Sequence, residues 1–216
     1  MNRYIRNLQL SGLGKEGQAA LSQARVLVIG AGALGSVCSM YLAASGVGHL
    51  TIADFDNVDI TNLQRQLSYV EADAGKPKAD TLAKKIGQIN SEIEVTPIKA
   101  FVTAQTLEPL VAEADIVIEA SDNPATKYMV TDCSERLGKP YALGAVAQWQ
   151  GQALSWRPGH PGYRDLFPVG AEEGAYTPCS IGGILGPLPG IIGSIQASEA
   201  IKLISGAGQP LLGRLL

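Results

Sequence analysis

Arg25-Val26-Leu27-Val28-Ile29-Gly30-Ala31-Gly32-Ala33-Leu34-Gly35 decides the fold of this chain. A short apolar, β-branched run that stops abruptly at glycine predicts a fully buried parallel strand entering a tight turn. Behind the turn, Leu34, Val37, Cys38, Tyr41 and Leu42 recur at helical spacing, and Gly46 and Gly48 break that helix before a second strand, His49-Leu50-Thr51-Ile52-Ala53-Asp54. Together they make one βαβ unit. The G-x-G-x-x-G of Gly30 to Gly35 therefore sits between a strand and a helix, the setting in which backbone N–H groups can hold phosphate. Asp54 closes the next strand, where a carboxylate can accept hydrogen bonds from ribose hydroxyls. On these residues alone the reading is a nucleotide site, with an NAD(P)-dependent oxidoreductase as the usual form. Glycines kept only for helix-to-strand packing are the bland alternative.

Working outward, Ala79, Leu82, Ala83 and Ile86 predict a second helix, and Ile93 and Val95 alternating with Glu92 and Glu94 predict a half-exposed strand. Asp115-Ile116-Val117-Ile118-Glu119-Ala120 reads as another buried strand. Pro124 suits the first turn of a helix running toward Leu137, stopped by Gly138 and Pro140. Tyr141 to Val146 and Gly151 to Trp156 read as two further strands. Alternating strands and helices imply an α/β fold, a Rossmann-like, doubly wound and mostly parallel sheet with helices on both faces. The expected organisation is a single domain over 1–216, with a nucleotide-binding half at 1–140 followed by a second half at 141–216. From Arg157 to Pro189 periodicity fails, in a stretch too long for an idle connection. Leu188, Ile191, Ile192, Ile195, Ala197, Ala200, Ile201 and Ile204 make the last helix apolar on most of its surface, so it is buried or packs on another subunit. Leu211 to Leu216 reads as the start of a strand cut short, as in a fragment of a longer chain.

The 216 residues carry 17 Lys and Arg against 20 Asp and Glu, a net charge of −3, so no bulk positive field gathers nucleic acid. Three cysteines, Cys38, Cys133 and Cys179, with no C-x-x-C pair argue against a disulfide framework and suit a reducing cytoplasm. Residues 174–198 lack charge, but Pro178, Pro187, Pro189 and several glycines interrupt them, so no membrane span is expected. Met1 to Leu10 lacks the continuous apolar stretch of a signal peptide.

The segment beyond the second strand does not fit a dehydrogenase. Asp54-Phe55-Asp56-Asn57-Val58-Asp59-Ile60-Thr61-Asn62-Leu63-Gln64-Arg65-Gln66 packs acids, amides and an arginine together, Lys76 and Lys78 supply two amines at a helix start, and Asp122-Asn123 comes just after a strand end. In an open α/β sheet those ends line the ligand crevice.

On these motifs the chain resembles the ThiF/MoeB/HesA group of ATP-dependent enzymes, relatives of the ubiquitin-activating enzymes. The resemblance runs from Arg3-Tyr4-x-Arg6 and Gly12 through Gly30 to Gly35, Asp54 to Gln66, Lys78 and Asp122-Asn123. It continues to Gly186-Pro187 and Gln196-Ala197-x-Glu199-Ala200-Ile201-Lys202. It implies ATP- and Mg2+-dependent adenylation of the C-terminal glycine carboxylate of a small ubiquitin-like sulfur carrier ending in Gly-Gly, with release of pyrophosphate. By the resemblance, Arg65 and Lys78 contact the phosphates, Asp122 holds magnesium with Asn123 beside it, and Asp54, with Asp56 near it, holds the ribose. Asn62 positions the triphosphate, and Gly30, Gly32, the N–H of Ala33 and Gly35 lie against the nucleotide. Arg6 reaches the phosphates from a partner subunit, which implies a homodimer. Cys179 matches the cysteine some members use for thioester, persulfide or acyl-disulfide chemistry, although no cation beside it in sequence lowers its pKa.

Local readings of the same residues stand beside these. Arg65 and Lys78 among acids make an ordinary solvated salt-bridge network, Asp122 before Asn123-Pro124 makes a helix cap, and Arg6 a surface residue. Cys38 and Cys133 fall on apolar helix stripes and read as core, and neither His49 nor His160 has partners at metal spacing. The resemblance breaks at Gly162-Tyr163-Arg164-Asp165, where relatives have Cys-Tyr-Arg-Cys as half of a zinc site. A tetrahedral site cannot be built from glycine and one carboxylate, so no zinc is expected, and packing or the carrier must hold the loop. A ThiS-like carrier of thiamine biosynthesis is the first expectation, and a MoaD-like carrier of molybdopterin biosynthesis or another small acid or peptide the second. An NAD(P)-dependent oxidoreductase and a silent module that only binds a ubiquitin-like partner are the other classes.

Overall fold

The computed structural model describes residues 2–168 and 182–216. Six strands form one sheet: β1 (Arg25–Ile29), β2 (His49–Ala53), β3 (Glu94–Ile98), β4 (Ile116–Glu119), β5 (Tyr141–Ala147) and β6 (Gln150–Trp156), in the order β3-β2-β1-β4-β5-β6. All neighbours are parallel except β5 and β6, which form an antiparallel hairpin at the edge. This is the doubly wound, mostly parallel sheet the sequence predicts.

The helices are α1 (Ile5–Gln9), α2 (Gly14–Gln23), α3 (Ala33–Ala44), α4 (Lys78–Ile89), α5 (Ala104–Glu113), α6 (Pro124–Arg136), α7 (Tyr163–Leu166) and α8 (Pro187–Ser205). Strand side chains alternate between faces, which is why β1 serves two cores. Val26 and Val28 pack with Leu34, Cys38 and Leu42 of α3, Leu82 and Ile86 of α4, and Ile192 and Ala197 of α8. Leu27 and Ile29 pack on the other face with Leu107 and Val111 of α5 and Val130 and Cys133 of α6. Both Cys38 and Cys133 are core residues, as expected.

Four helices, α1, α2, α5 and α7, escaped the sequence reading, three of them for reasons their composition shows. Helix α1 is five residues long and buries none of them; α2 carries Gly14 and Gly17, and α5 carries Pro109 inside it, both helix breakers by propensity. Helix α8 buries Ile192, Gln196, Ala197 and Ala200 against the sheet and α3 and leaves Ile191 exposed. It ends at Gly206, whose φ of +71° is the left-handed cap glycine adopts without strain. At the far end, Leu216 and Ala153 exchange backbone hydrogen bonds of 2.9 and 3.1 Å along β6, with one parallel bridge at Leu212, rather than a full strand. Among the described residues no helix is long and apolar enough to cross a membrane.

The strand order places the site. From β1 the chain winds outward through β2 and β3, then returns to β4 on the other side of β1. The loops leaving β1 and β4 therefore diverge and open a crevice at the carboxyl ends of the strands, the place where ligands bind such sheets.

Candidate active site

Gly30 to Gly35 follows β1, Asp54 follows β2 and Asp122 follows β4, so the topology brings these residues to one crevice. The three glycines of the turn answer to different demands. Gly30 has φ +98°, and a Cβ on it would lie 2.8 Å from the Ala120 carbonyl oxygen; one on Gly35 would lie 1.8 Å from the Gly30 carbonyl oxygen. The fold needs both for close packing, as the bland reading holds. Gly32 is different. A Cβ there would meet only Gln66 Nε2 at 3.7 Å, an ordinary contact, so packing does not require glycine. Gly32 is the N-cap of that helix and no side chain bonds its first turn. Free N–H groups at a helix start, beside room that a side chain would fill, fit a phosphate group.

Asp54 sits behind the turn. Its Oδ2 accepts from the Ala31 N–H at 2.6 Å and its Oδ1 from the Asp56 N–H at 2.8 Å. Burial pushes its pKa above the ordinary aspartate value, against the pull of those two backbone bonds and the nearby Lys78 charge. Asp56 turns to Lys78, the first residue of α4, which is 5% exposed. The ammonium lies 2.9 Å from Asp56 Oδ2, and the Lys78 N–H donates to the Asp56 carbonyl at 2.9 Å. The segment after Asp56 folds on itself. Asp59 caps a single turn over Ile60–Asn62, accepting from the Thr61 N–H and hydroxyl, and these bonds hold its carboxyl below the usual range. Asn62 Oδ1 accepts from the Asp59 N–H at 3.3 Å, and Arg65 Nη1 donates to the Thr61 carbonyl at 3.2 Å. Acids, an amide and two cations are thus fixed by local bonds around the turn.

At the β4 end, Asn123 rather than Asp122 caps α6: its Oδ1 accepts from the Thr126 N–H at 3.2 Å, with Pro124 in the first turn. The cap assignment to Asp122 is therefore corrected. Asp122 is exposed, with no hydrogen bond or ion pair to any described residue. The described residues contain no group of three His, Cys, Asp or Glu side chains that could hold a metal. Magnesium carried by nucleotide phosphates needs only one or two carboxylates, so a single free Asp122 fits it.

Beneath this turn lies a charged pair the sequence reading did not pick out. Lys127 Nζ donates to Glu119 Oε2 at 2.5 Å, to the Ser121 carbonyl at 2.7 Å and to the Gly144 carbonyl at 2.8 Å. Glu119 also accepts from the Ser121 N–H at 3.1 Å and from its hydroxyl. The one acid inside the apolar run Ile116–Glu119 was the available signal. Gln196 of α8 joins the same junction, its Nε2 donating to the Glu119 carbonyl at 2.8 Å. Tyr69, Gln66, Glu119 and Lys127 are polar residues near the crevice to which the sequence reading gave no role.

Arg6, expected to act from a partner subunit, stands away from this crevice. Arg6 is exposed on α1, where its Nη1 donates to Gln9 Oε1 at 3.2 Å, and α1 packs on α2. Cys179 lies outside the described residues. The segment Gly162-Tyr163-Arg164-Asp165 is packed onto α6 as α7. Arg164 pairs with Asp132 at 2.6 Å and stacks over Tyr128, and the Tyr163 ring lies 5.0 Å from those of Tyr128 and Phe167.

Comparison with known proteins identifies the family. The model of the ThiF family matches residues 4–216. The SAMP-activating enzyme E1 of Haloferax volcanii is 42% identical over 216 residues, 100% of this chain and 80% of that protein. Adenylyltransferase and sulfurtransferase MOCS3-1 of Zea mays is 44% identical over 215 residues, 99% of this chain and 46% of its own. The probable adenylyltransferase/sulfurtransferase MoeZ of Mycobacterium tuberculosis is 42% identical over 219 residues, 99% of this chain and 56% of its own. The chain thus spans most of the first relative and about half of the other two. Among solved structures, E. coli MccB with ATP superposes with a TM-score of 0.84 at 27% identity, over 97% of this chain and 65% of that one.

Proposed function

This chain belongs to the ThiF family, and from that premise we propose that it is an ATP- and Mg2+-dependent adenylyltransferase acting on the C-terminal carboxylate of a ubiquitin-like carrier that ends in Gly-Gly. The observation that supports the reading is Gly32: a Cβ there would meet only Gln66 Nε2, beside a helix start that no side chain caps, and Asp54 and Asp122 follow neighbouring strand ends of the same sheet.

In the reaction a carboxylate oxygen bonds to the α-phosphorus of ATP, the bond from that phosphorus to the β-phosphate bridging oxygen breaks, and pyrophosphate leaves. Two anions approach each other, so fixed donors and cations must offset their repulsion. The N–H groups of the Gly32–Ala33 turn receive phosphate oxygens, Asp54 accepts from the ribose, and Asn62 and Asn123 Nδ2 orient the chain of phosphates. Lys78 exchanges its Asp56 partner for phosphate, and Arg65 adds the second charge. Asp122 would hold magnesium, which would supply charge neutralisation at the phosphates. Arg6, unable to serve its own crevice from α1, serves that of a second copy, and the exposed apolar Tyr41, Leu67, Val70 and Ile191 provide surface for such a homodimer. Cys179 would act only after adenylation. With this reading go the division into a nucleotide-binding half at 1–140 and a carrier-binding half at 141–216, and a place in the cytoplasm.

With relatives of the MOCS3 and MoeZ type, the proposal puts a MoaD-like carrier ahead of the ThiS-like carrier expected first. Likeness to MccB, which was solved with MccA, keeps a different acid substrate as a third arm. ATP–pyrophosphate exchange with Mg2+ tests the reading, with ThiS-like and MoaD-like carriers in parallel. Exchange that needs a carrier, disappears in Asp122→Ala and survives in Cys179→Ala establishes adenylation and confines the cysteine to a later step. No exchange with either carrier, despite ATP binding, moves the assignment to another acid or to a silent binding module.

A further inference from the structure

We propose that Tyr69 is a positioning residue for the nucleotide: its hydroxyl holds the Ala31 peptide, and so sets the glycine turn and Asp54 in place before ATP arrives. The inference rests on the reading of this crevice as an ATP site.

Tyr69 closes a turn through its own N–H, which donates to the Gln66 carbonyl at 3.0 Å. Its side chain is 4% exposed and packs in the core shared by α3 and α4. The hydroxyl donates to the Ala31 carbonyl at 2.7 Å and lies 3.4 Å from the carbonyl of Lys78. Burial, with the charges of Asp54 and Asp73 adding to it, pushes the phenol pKa well up, so the group stays protonated and remains a donor at any working pH.

Ala31 stands between two glycines, where the backbone is freest to rotate. Its N–H is held by Asp54 Oδ2 at 2.6 Å and its C=O by Tyr69, so the one peptide segment is fixed from both ends. Ala31 is fully buried, and its carbonyl has no water to fall back on. A single hydroxyl therefore bridges the glycine turn that meets phosphate, the acid that meets ribose, and the first turn of the helix carrying Lys78. Removing it relaxes the grip on ATP and leaves carrier recognition alone.

The test is Tyr69→Phe in the full chain, with Tyr141→Phe as the comparison. Tyr141 is buried in the other core, where its hydroxyl donates to Glu135 at 2.7 Å and accepts from the Tyr163 N–H at 2.9 Å. Titration calorimetry with ATP and Mg2+ is expected to show affinity weakened about 10-fold in Tyr69→Phe and unchanged in Tyr141→Phe. The KM for carrier in exchange should stay within about twofold while the KM for ATP rises with the dissociation constant. Hydrogen exchange without ATP gives a second readout: the Ala31 amide should exchange faster in Tyr69→Phe, while amides of β4 do not. Unchanged ATP affinity in folded Tyr69→Phe, or equal weakening in Tyr141→Phe, overturns the inference while leaving the ATP site standing. A parent protein that binds no ATP overturns the proposed function, and this inference with it.

Discussion

Lys78 and Asp56 form an asymmetric pair: the lysine side chain is 7% exposed and the aspartate 48%, with 2.9 Å between ammonium and carboxylate. The amine is held out of water at the lip of the crevice by a partner that water can reclaim. Phosphate can take over the lysine at little cost, because the released carboxylate rehydrates in place.

Lys78→Met keeps the buried stem and deletes the charge. Exchange is expected to fall by about 10²–10³-fold, the usual loss when one charge-stabilising donor is removed. Stability to urea should change by less than about 1 kcal/mol, since Asp56 is half exposed. Exchange rates beside urea midpoints check both.

Gly32→Ala and Gly35→Ala should separate binding from folding. A methyl on Gly35 would fall 1.8 Å from the Gly30 carbonyl oxygen, whereas one on Gly32 has only Gln66 Nε2 nearby, at 3.7 Å. Gly35→Ala is expected to give little soluble folded protein, and Gly32→Ala to fold with parent-like circular dichroism while ATP affinity drops by at least about 10-fold. Gly32→Ala that binds ATP as the parent does would remove Gly32 from the site.

Neighbouring Asp122 and Asn123 should respond in opposite ways. Asn123 caps α6 through the Thr126 N–H, so Asn123→Ala should cost about 1 kcal/mol in thermal or urea unfolding. Asp122 bonds no described residue, so Asp122→Ala should leave stability within about 0.5 kcal/mol and abolish magnesium-dependent exchange.

Lys127→Met strands Glu119, which is fully buried, and should destabilise by about 3–5 kcal/mol. Adding Glu119→Gln removes the orphaned charge and should recover part of that loss. A double variant no more stable than Lys127→Met alone would show that the carbonyl contacts to Ser121 and Gly144, rather than the ion pair, hold the turn.

Burial raises the pKa of Asp54 above its unfolded value, so folding disfavours the charged form. Below the unfolded value, about 3.9, the group is neutral in both states and its burial carries no charge penalty. As pH rises through the folded pKa, the folded state must hold a buried charge and stability falls. The stability of Asp54→Asn relative to the parent should therefore increase with pH across that window and then level off. If Asp54 accepts from the ribose as proposed, ATP binding should weaken on acidification at a higher pH than an exposed aspartate would cause. Urea titrations at several pH values and calorimetry with ATP check the two trends.

Much of the fold was legible because its signals are local. The apolar run ending at Gly30 marked β1, the spacing of Leu34, Cys38 and Leu42 marked α3, and Pro124 marked the start of α6. Helices α2 and α5 were not legible, since Gly14, Gly17 and Pro109 are breakers that tertiary packing of Leu21, Leu107 and Val111 overrides. The polar crevice residues were legible as motifs, but their bonding was not. Spacing could not tell that Asn123 takes the cap and frees Asp122, nor that Glu119 and Lys127 lie beneath them as a pair.

By itself the sequence determined the succession of most strands and helices, the strand-turn-helix at Gly30 to Gly35 and the set of polar side chains that the turn would meet. Each arises from period, propensity and steric need within a few residues. Only the tertiary structure decided that Gly30 and Gly35 serve packing while Gly32 has room for a Cβ, that Lys78 pairs with Asp56, and that Tyr69 reaches Ala31 from 38 residues away. Those are contacts between segments that the sheet order brings together. A hydrogen bond between distant residues leaves no period in the chain, because its geometry exists only once the strands have paired.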